Sequence, residues 1–420
     1  MPARARSRRG SAKPSPNLRP DPVSTAAAPH GWRANLTTPG PIAFAVCYLL
    51  ESTSRSMLIT VIPLQALKLL GFARDVSVLY AAIGLFAIAF SMFVPVLARR
   101  LQSGRFYALG GALLVVAPLA LATDTLAGVA AALLLTSISG ACLLNGINLL
   151  MMAHVAKPDL VRAESWKFFG GATAWLICPV LGVFLFEHAA PAWALGLSSA
   201  AGLCHILYLA ALGLTRAPTE TTELPDSALR PWRNFARFLA QPRLRLALAL
   251  NTARSSFWGM FFVYGPIYAV AGGESDTISA ALVSAGSGTL LLAPLFGWMA
   301  NRTGVRLFTM GSFIAVGAMV AAVPLAGANA HLGMVLLIAA TCAGVALDAV
   351  GQVTFMRAVR SRERPEMGMV FSYYRDAASL LPHTVAALLL TFFGLNAVFL
   401  ATAAGMFACA WLARWIPRGM

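Results

Sequence analysis

The feature that most constrains this chain is a series of long apolar stretches separated by short polar segments. A helix of about 20 residues crosses the roughly 30 Å hydrocarbon layer of a bilayer, and each stretch reaches or approaches that length. We therefore predict an all-α, polytopic membrane protein with 12 transmembrane helices. They lie at about 41–67, 77–98, 106–122, 126–153, 168–186, 192–214, 246–271, 277–300, 307–326, 331–356, 369–393 and 395–416.

Composition excludes a soluble fold, because 58% of the residues are hydrophobic and 11% are charged, against about a quarter charged in soluble domains. Lys and Arg number 32 and Asp and Glu 16. Of the basic residues, 27 fall on the side of the predicted topology that holds both chain ends, and only Lys68 and Arg74 fall in the opposite loops. Because basic loops stay in the cytoplasm, we predict a cytoplasmic (inner) membrane protein with both termini cytoplasmic. The excess of basic residues is then explained by topology and by contact with anionic lipids of the bilayer, so we do not expect nucleic acid as a partner.

The predicted helices form two groups of six around a polar interval. Residues 1–40 lack the apolar core of a signal peptide and are predicted to be a disordered basic cytoplasmic tail. Residues 41–214 form an N-terminal six-helix bundle, and residues 246–416 form a C-terminal one. The cytoplasmic linker at 215–245 ends with apolar and basic residues at helical spacing, typical of an amphipathic helix at the membrane surface.

The two halves also repeat in sequence. Residues 52–56 (STSRS) resemble residues 251–255 (NTARS) at an offset of 199. Residues 98–105 (ARRLQSGR) resemble residues 300–306 (ANRTGVR) at offsets of 200–202, with an insertion before Gly104. Two matches at nearly one offset indicate a duplicated unit and predict two pseudo-symmetric bundles.

The second copy of this loop carries a recognisable motif. It resembles the G-x-x-A-D-R-x-G-R-R loop of the major facilitator superfamily, with Asn where the family usually has Asp. The resemblance implies a secondary transporter rather than an enzyme, and it assigns a gating role to this loop. The gating residues are Gly297, Asn301, Arg302, Gly304 and Arg306.

The fifth predicted helix contains Cys178-Pro179 followed by Gly182. This is similar to a Gly-Pro pattern that the family's antiporters carry there, with Cys178 in place of Gly. The pattern favours export, although a kink that serves helix packing would also occur in a symporter.

Ionisable residues at membrane depth are the candidates for function, since each costs at least about 2.5–3.5 kcal/mol to insert and is kept where something repays that cost. Six have a fixed charge, and four more polar residues lie equally deep. They are Glu51, Arg55, Arg254, Asp348, Arg375 and Asp376, with Asn145, Asn148, His205 and His383. We expect the two histidines to be packing or hydrogen-bonding residues rather than proton carriers.

Arg55 and Arg254 occupy matching places in the repeat, so we expect them to face each other near the midplane. Two guanidiniums there form a fork for a carboxylate, phosphate or hydroxamate. The resemblance adds that organic-phosphate exchangers of the superfamily hold their anion with arginines in the first and seventh helices. Arg375, Asn145 and Asn148 complete the substrate-binding candidates. The alternative is that the arginines only form internal ion pairs, for example Arg55 with Glu51 one turn away.

The energy for transport must come from a gradient, because the sequence contains no G-x-x-x-x-G-K-[ST] nucleotide motif. A proton-coupled cycle needs a carboxyl group that gains and loses a proton. Glu51 is the first candidate, and Asp348 and Asp376 are the others. The six cysteines lie in apolar stretches without metal-binding spacing, so we expect no metal and no cofactor.

Together these patterns predict a monomeric transporter whose partners are a small-molecule substrate and protons. We favour proton-coupled efflux of a small organic solute with an anionic or chelating group: a siderophore, an organic acid or a phosphate ester. The alternatives are a proton-coupled importer of an organic anion, a non-transporting membrane receptor, and a broad-specificity drug/proton antiporter. The last is suggested by aromatic residues in the seventh helix, which are Phe257, Trp258, Phe261, Phe262 and Tyr264.

Overall fold

The computed structural model describes residues 36–156, 159–215, 231–327, 329–360 and 363–417, and all its regular elements are helical. The helices of the N-terminal half are α1 Pro41–Leu70, α2 Ala73–Ser91, α3 Val94–Leu101, α4 Ser103–Leu121, α5 Leu126–His154, α6 Leu160–His188 and α7 Pro191–Ala211. Those of the C-terminal half are α8 Pro231–Leu239, α9 Pro242–Ala271, α10 Asp276–Gly288, α11 Ala293–Thr303, α12 Val305–Ala322, α13 Ala330–Ala358, α14 Arg364–Ser372, α15 Tyr374–Phe392 and α16 Asn396–Ala413.

Ten helical segments of the described residues are long and apolar enough to cross a membrane. The all-α, polytopic membrane fold is therefore confirmed. The predicted seventh and eleventh spans are helical as well, as α9 and as α14 with α15, but charged residues such as Arg254, Arg375 and Asp376 lower their apolar content. The number twelve stays a prediction.

The predicted tail and linker fall partly outside the described residues, which begin at 36 and omit 216–230. The last part of the linker forms α8. Its Phe238 is fully buried in a cluster with α9, α13 and α14, while Arg237 pairs with Glu363 at 3.2 Å. This short amphipathic helix is thus anchored to the C-terminal bundle, and α9 begins four residues before the predicted boundary.

Helix packing follows the repeat. In the N-terminal half α1 packs on α6 and α7, and α4 packs on α5 and α7; in the C-terminal half α9 packs on α13 and α15, and α12 packs on α13 and α16. The halves meet through α2 with α15, α6 with α10, and α1 with α9. In the repeat, α2 corresponds to α10, and α6 corresponds to α14 together with α15. The interface of α2 with α15 is therefore the symmetry equivalent of the interface of α10 with α6. This arrangement is the pseudo-twofold symmetry that the sequence repeat predicts.

The repeated loops match more closely in structure than in sequence. α3 ends at Leu101 and α11 at Thr303, and each is followed by a single residue with positive φ, Gln102 (φ 64°) and Gly304 (φ 83°). The offset is 202 with no insertion, so the predicted insertion before Gly104 is wrong. Gly104 has another reason to be glycine, since a Cβ there would lie 1.8 Å from the carbonyl oxygen of Leu214.

The register of the first helices also differs from the motif match. Pro41 and Pro242 open α1 and α9, and Leu70 and Ala271 close them, so the offset is 201 and not 199. A shift of two residues is about 200° around a helix. By the helix bounds Arg55 therefore corresponds to Ser256, and the two arginines do not occupy symmetric positions.

Several polar contacts between the halves lie toward one face of the molecule, which we call the distal side: the face with the connections after Leu70, Leu121, His188, Ala271, Ala326 and Phe392. The side of the chain ends is the proximal side. On the distal side Lys68 forms an ion pair with Asp276, and Thr277 donates to Glu187 at 2.6 Å. Deeper in the same interface Val180 N donates to Ser284 Oγ at 3.0 Å, and Tyr264 donates to Ser77 at 2.8 Å.

These contacts tie the bundles together on the distal side, while polar residues at mid-depth keep partial exposure. We interpret this pattern as a space between the bundles that opens toward the proximal side. The partly exposed residues are Arg55, Asn145, Asn148, Arg254, Asp348, Arg375 and Asp376.

Small residues set the close approach of α1 to α6. At Gly182, an added Cβ would lie 2.3 Å from the backbone carbonyl oxygen of Met57. Backbone cannot move aside as a flexible side chain can, so this contact fixes the distance between the two helices.

We predict that Gly182→Ala lowers the stability of the purified protein by about 1–3 kcal/mol, because overpacking forces the two backbones apart. Thermal unfolding in detergent measures the effect. Gly196→Ala is the matched control, since Gly196 lies within α7 and has no atom within 4 Å of the added Cβ. Equal melting temperatures for the two variants would contradict the predicted contact.

Candidate substrate and proton-coupling site

An ion pair between α9 and α13 anchors the C-terminal half of the site. Arg254 pairs with Asp348, whose other oxygen accepts a hydrogen bond from Trp258 Nε1 at 2.9 Å. Both carboxylate oxygens of Asp348 are thus engaged. Gly351 makes room for the pair, since a Cβ there would lie 3.2 Å from Nε of Arg254.

Tyr374 joins this pair to a second arginine. Its hydroxyl accepts from Arg254 Nη2 at 3.3 Å and from Arg375 Nε at 3.2 Å, and each guanidinium carbon lies 5.5 Å from the centre of its ring. Among the described residues, the terminal nitrogens of Arg375 have no hydrogen-bond or ion-pair partner. Asp376 points elsewhere, toward the Ser91 hydroxyl of α2. Arg375 therefore retains unused donors at mid-depth.

The N-terminal half holds the other two charged candidates, Glu51 and Arg55. Within the described part of the chain, Arg55 makes no ion pair or hydrogen bond; it lies beside Gly140 of α5, where a Cβ would be 3.5 Å from Nη2. Glu51 is 0% exposed, and neither carboxylate oxygen has a hydrogen-bond partner in the same described residues. An ion pair between Glu51 and Arg55 is thus not formed in this conformation.

A lysine that sequence reasoning assigned to a loop belongs to the site. Lys167 lies two turns inside α6, pairs with Glu164 at 2.7 Å, and donates to Asn148 Oδ1 at 3.4 Å. Its ammonium group is 5.7 Å from the centre of the Tyr48 ring. Asn145 instead donates to the carbonyl oxygen of Ala141 in its own helix at 2.8 Å. Asn148 is therefore the candidate amide that a neighbouring charge orients.

Tyr48 connects the two halves electrostatically. The charges of Arg55 and Arg375 both act on its hydroxyl, although the two arginines belong to different bundles. The arginine that shares surroundings with Arg55 is thus Arg375, while Arg254 is held by Asp348. Tyr48, Lys167 and Tyr374 were missed in the sequence because a tyrosine or a lysine near a helix end has no distinguishing local pattern.

The two histidines are buried in separate clusters, and the gating loop lies at the proximal surface. His383 contacts the Tyr264 hydroxyl through Nδ1 at 3.3 Å and packs on Tyr80, and His205 is buried within the N-terminal bundle. In the gating loop, Asn301, Arg302 and Gly304 are exposed on the proximal side, together with partly exposed Gly297 and Arg306, and Arg302 lies 3.9 Å over the Trp298 ring.

The aromatic residues of α9 divide into two groups. Phe257, Phe261 and Tyr264 are fully buried and act as packing residues. Trp258 and Phe262 are partly exposed and stack at 5.5 Å, and Phe262 also meets Trp175 of α6 at 5.1 Å. Most of the aromatic surface expected for a broad drug-binding site is therefore occupied by internal packing.

The described residues contain no group of three or more His, Cys, Asp or Glu side chains that could hold a metal ion. The chemistry of the site is thus that of guanidinium, ammonium, phenol, amide and carboxyl groups. Groups of these kinds donate and accept hydrogen bonds and can form ion pairs with small polar solutes.

The sequence profile described as Major Facilitator Superfamily matches residues 44–382. The chain belongs to the major facilitator superfamily. A comparison with curated proteins finds no match. As a member of the superfamily, the protein is a multi-pass membrane transporter and not an enzyme.

Solved structures of other transporters share the fold at low identity. The nucleoside transporter NupG superposes with a TM-score of 0.70 at 14% identity, covering 89% of this chain and 98% of its own. A POT family transporter in complex with 5-aminolevulinic acid gives 0.69 at 12%, covering 88% and 94%. A peptide transporter POT gives 0.66 at 14%, covering 89% and 93%. At such identities the likeness extends to the fold alone.

We predict that Asp348→Asn or Arg254→Gln alone destabilises this superfamily member by about 3–5 kcal/mol, because each leaves a charge without its partner at membrane depth. The double variant should recover most of that loss. Thermal unfolding measures all three. Glu363→Gln, which breaks the more exposed pair with Arg237, is the control and should cost about 1 kcal/mol or less. A double variant less stable than both single variants would count against the pairing.

Proposed function

We propose that this protein is a proton-coupled secondary transporter of a small organic solute with an anionic or chelating group. The observation that supports the proposal is the pair of guanidiniums around Tyr48. Arg55 has no partner within the described residues, and Arg375 uses only Nε. Both face the space between the bundles.

The energetics favour an anion as the missing partner. A guanidinium at membrane depth is costly unless something compensates its charge. Arg254 is compensated by Asp348, but neither Arg55 nor Arg375 has an ion-pair partner among the described residues. A carboxylate, phosphate or hydroxamate offers two oxygens in the geometry that a guanidinium fork binds best. The anion fork thus consists of Arg55 and Arg375, with Arg254 and Asn148 at its border.

Glu51 is the carboxyl group best suited to carry the coupling proton. An ionised carboxylate without hydrogen bonds is expensive to bury, so Glu51 holds a proton in this conformation. Asp348 is fixed by Arg254 and Trp258, which leaves it little freedom to exchange a proton. Asp376, beside Ser91 at the interface of α2 and α15, is the second candidate.

The position of Arg55 sets the sign of the coupling. Arg55 lies one helical turn from Glu51, so it can either pair with an ionised Glu51 or hold the solute anion. An anion on Arg55 therefore favours a proton on Glu51, and by linkage the proton favours the anion. Binding partners that favour each other travel in the same direction, which supports uptake by symport. Export rests on the Cys178-Pro179 pattern and is the alternative direction.

The basic residues give the orientation that we propose, with the proximal side and both termini in the cytoplasm of a cell with an inner membrane. The proximal opening then faces the cytoplasm. We propose a monomer, since each bundle pair encloses one complete site.

A thermal-shift screen of the purified protein tests the substrate class. The probes are organic acids, 5-aminolevulinic acid, phosphate esters, sulfate, siderophores and cationic drugs. Stabilisation by anions supports the proposal, whereas stabilisation by cationic drugs alone would favour drug export. Vesicles with an imposed pH gradient then show whether the stabilising compound moves with the proton or against it.

We predict that Arg55→Lys reduces transport of the stabilising anion nearly as much as Arg55→Ala, because lysine keeps the charge but loses the fork. Arg375→Lys should behave in the same way. Initial uptake rates in vesicles measure the effect. Arg74→Ala, which changes an exposed arginine on the distal surface that pairs with its neighbour Asp75, is the control. Full transport in both Arg55→Ala and Arg375→Ala would refute the anion fork.

We predict that Glu51→Gln abolishes transport driven by a pH gradient but leaves exchange of the anion across the membrane measurable, since glutamine mimics a permanently protonated carboxyl. If Glu51 serves only as a structural partner of Arg55, Glu51→Gln should instead lose folded protein, and Glu51→Gln with Arg55→Gln should regain it. Proton-driven transport in that double variant would move the carrier to Asp376 or Asp348.

A further inference from the structure

Four buried polar atoms without partners lie together in the core of the N-terminal bundle. Among the described residues, no hydrogen bond reaches either carboxylate oxygen of Glu51, the hydroxyl of Tyr107 or Nε2 of His205. The three residues come from α1, α4 and α7, and each is 0% exposed. Because buried polar groups are nearly always hydrogen-bonded, such a cluster points to a ligand that completes it.

Tyr107 stands between the other two residues. Its hydroxyl faces the Glu51 carboxyl, and its ring meets the His205 ring edge-on with the centroids 4.6 Å apart. Gly111 allows α4 to approach the imidazole, since a Cβ there would lie 2.6 Å from Cδ2 of His205. The helices are therefore packed so that the phenol faces the carboxyl group and its ring contacts the imidazole.

His205 has a defined tautomer. Its Nδ1 lies 3.2 Å from the carbonyl oxygen of Cys47. A carbonyl only accepts, so Nδ1 carries the ring hydrogen and Nε2 is a bare acceptor. Nε2 of His205, the Tyr107 hydroxyl and the Glu51 carboxylate therefore need one more hydrogen for all three groups to be hydrogen-bonded.

We propose that Glu51, Tyr107 and His205 form one proton-binding site, in which a proton on Glu51 completes a hydrogen-bond chain through Tyr107 to Nε2 of His205. With the proton, Glu51 donates to the Tyr107 oxygen and Tyr107 donates to Nε2. Without it, the Tyr107 hydrogen turns to the carboxylate and Nε2 loses its donor. The inference rests on the proposed role of Glu51 and adds two residues that hold its proton in place.

Other charged and titratable groups act on Glu51 from the helices around it. Cys47, Tyr48 and Arg55 lie on α1, and Lys167 lies on α6. Arg55 and Lys167 favour the carboxylate and oppose the chain. Burial of the carboxyl group opposes these two cations, and a chain that ends on Nε2 of His205 adds to the stabilisation of the protonated form.

An infrared pH titration of the purified full-length protein tests the site with protons as the only probe. The carbonyl stretch of a protonated carboxyl group is assigned to Glu51 by its loss in Glu51→Gln. In Tyr107→Phe and His205→Phe, this band should move to higher frequency, because the chain is broken. In His205→Phe it should also vanish at a lower pH on acid-to-base titration, because the Tyr107 hydrogen then has no imidazole acceptor and donates to the carboxylate. His205→Gln supplies an acceptor oxygen and should retain the wild-type band.

Tyr208→Phe is the matched control, since this hydroxyl in the same bundle donates to the carbonyl oxygen of Leu36 at 2.8 Å, away from Glu51. It should leave the band unchanged. If neither Tyr107→Phe nor His205→Phe changes the Glu51 band, the proposed hydrogen-bond chain is wrong and Glu51 binds its proton without the other two residues. Absence of any Glu51 band in the wild type would overturn the carrier role itself. Thermal unfolding of each variant verifies that it is folded. If His205→Phe does not fold, Tyr107→Phe, which keeps the aromatic ring, provides the test of the chain.

Discussion

The cost of a charge at membrane depth governs the organisation of this protein. Each charged side chain between the bundles must be paired, neutralised by a proton, or compensated by a solute. Arg254 and Asp348 take the first course. We assign the second to Glu51 and the third to Arg55 and Arg375. The three courses divide the charged residues into a structural pair, a coupling group and a binding group, although the sequence places all of them in similar apolar stretches.

The two bundles solve the same problem in opposite ways. In the C-terminal bundle, Asp348 and Tyr374 accept hydrogen bonds from Trp258 and both arginines, so the carboxylate of this network is satisfied, although Nε of Arg254 has no partner among the described residues. In the N-terminal bundle, Glu51 remains without a partner among the described residues. A satisfied network resists change, while an unsatisfied one responds to a proton. The duplicated unit has thus diverged into a rigid half and a responsive half.

Features that depend on neighbouring positions along the chain can be predicted from the sequence, whereas features that depend on contacts between helices cannot. Apolar length and the basic bias act along the chain, so the helical membrane fold was predictable, and the glycine motif around Gly304 was enough to indicate the family. The match at an offset of 199 was misleading, because helix bounds fix the register at 201 and rotate Arg55 away from symmetry with Arg254. Tyr107, His205 and Tyr374 acquire their roles from neighbouring helices, and no periodicity within one helix encodes such a contact.

Alternating access requires the distal contacts to break while the central groups change partners. The ties across the distal side are an ion pair at Lys68 and single hydrogen bonds at Thr277, Val180 and Tyr264, each worth little once water can replace it. The interface of α2 and α15 is close enough that a Cβ at Gly84 would lie 2.9 Å from the backbone of Ser379. Such backbone contact lets helices rock without repacking large side chains. The barrier to switching therefore lies in the charges at the centre. Without a bound anion, Arg55 must pair with an ionised Glu51 or remain uncompensated. With a bound anion, Arg55 no longer pairs with Glu51, which is then neutralised by a proton. For Arg55 and Glu51, only the fully loaded and the fully empty states leave neither charge uncompensated, and for that reason we expect the movement of the solute to be tied to the movement of the proton.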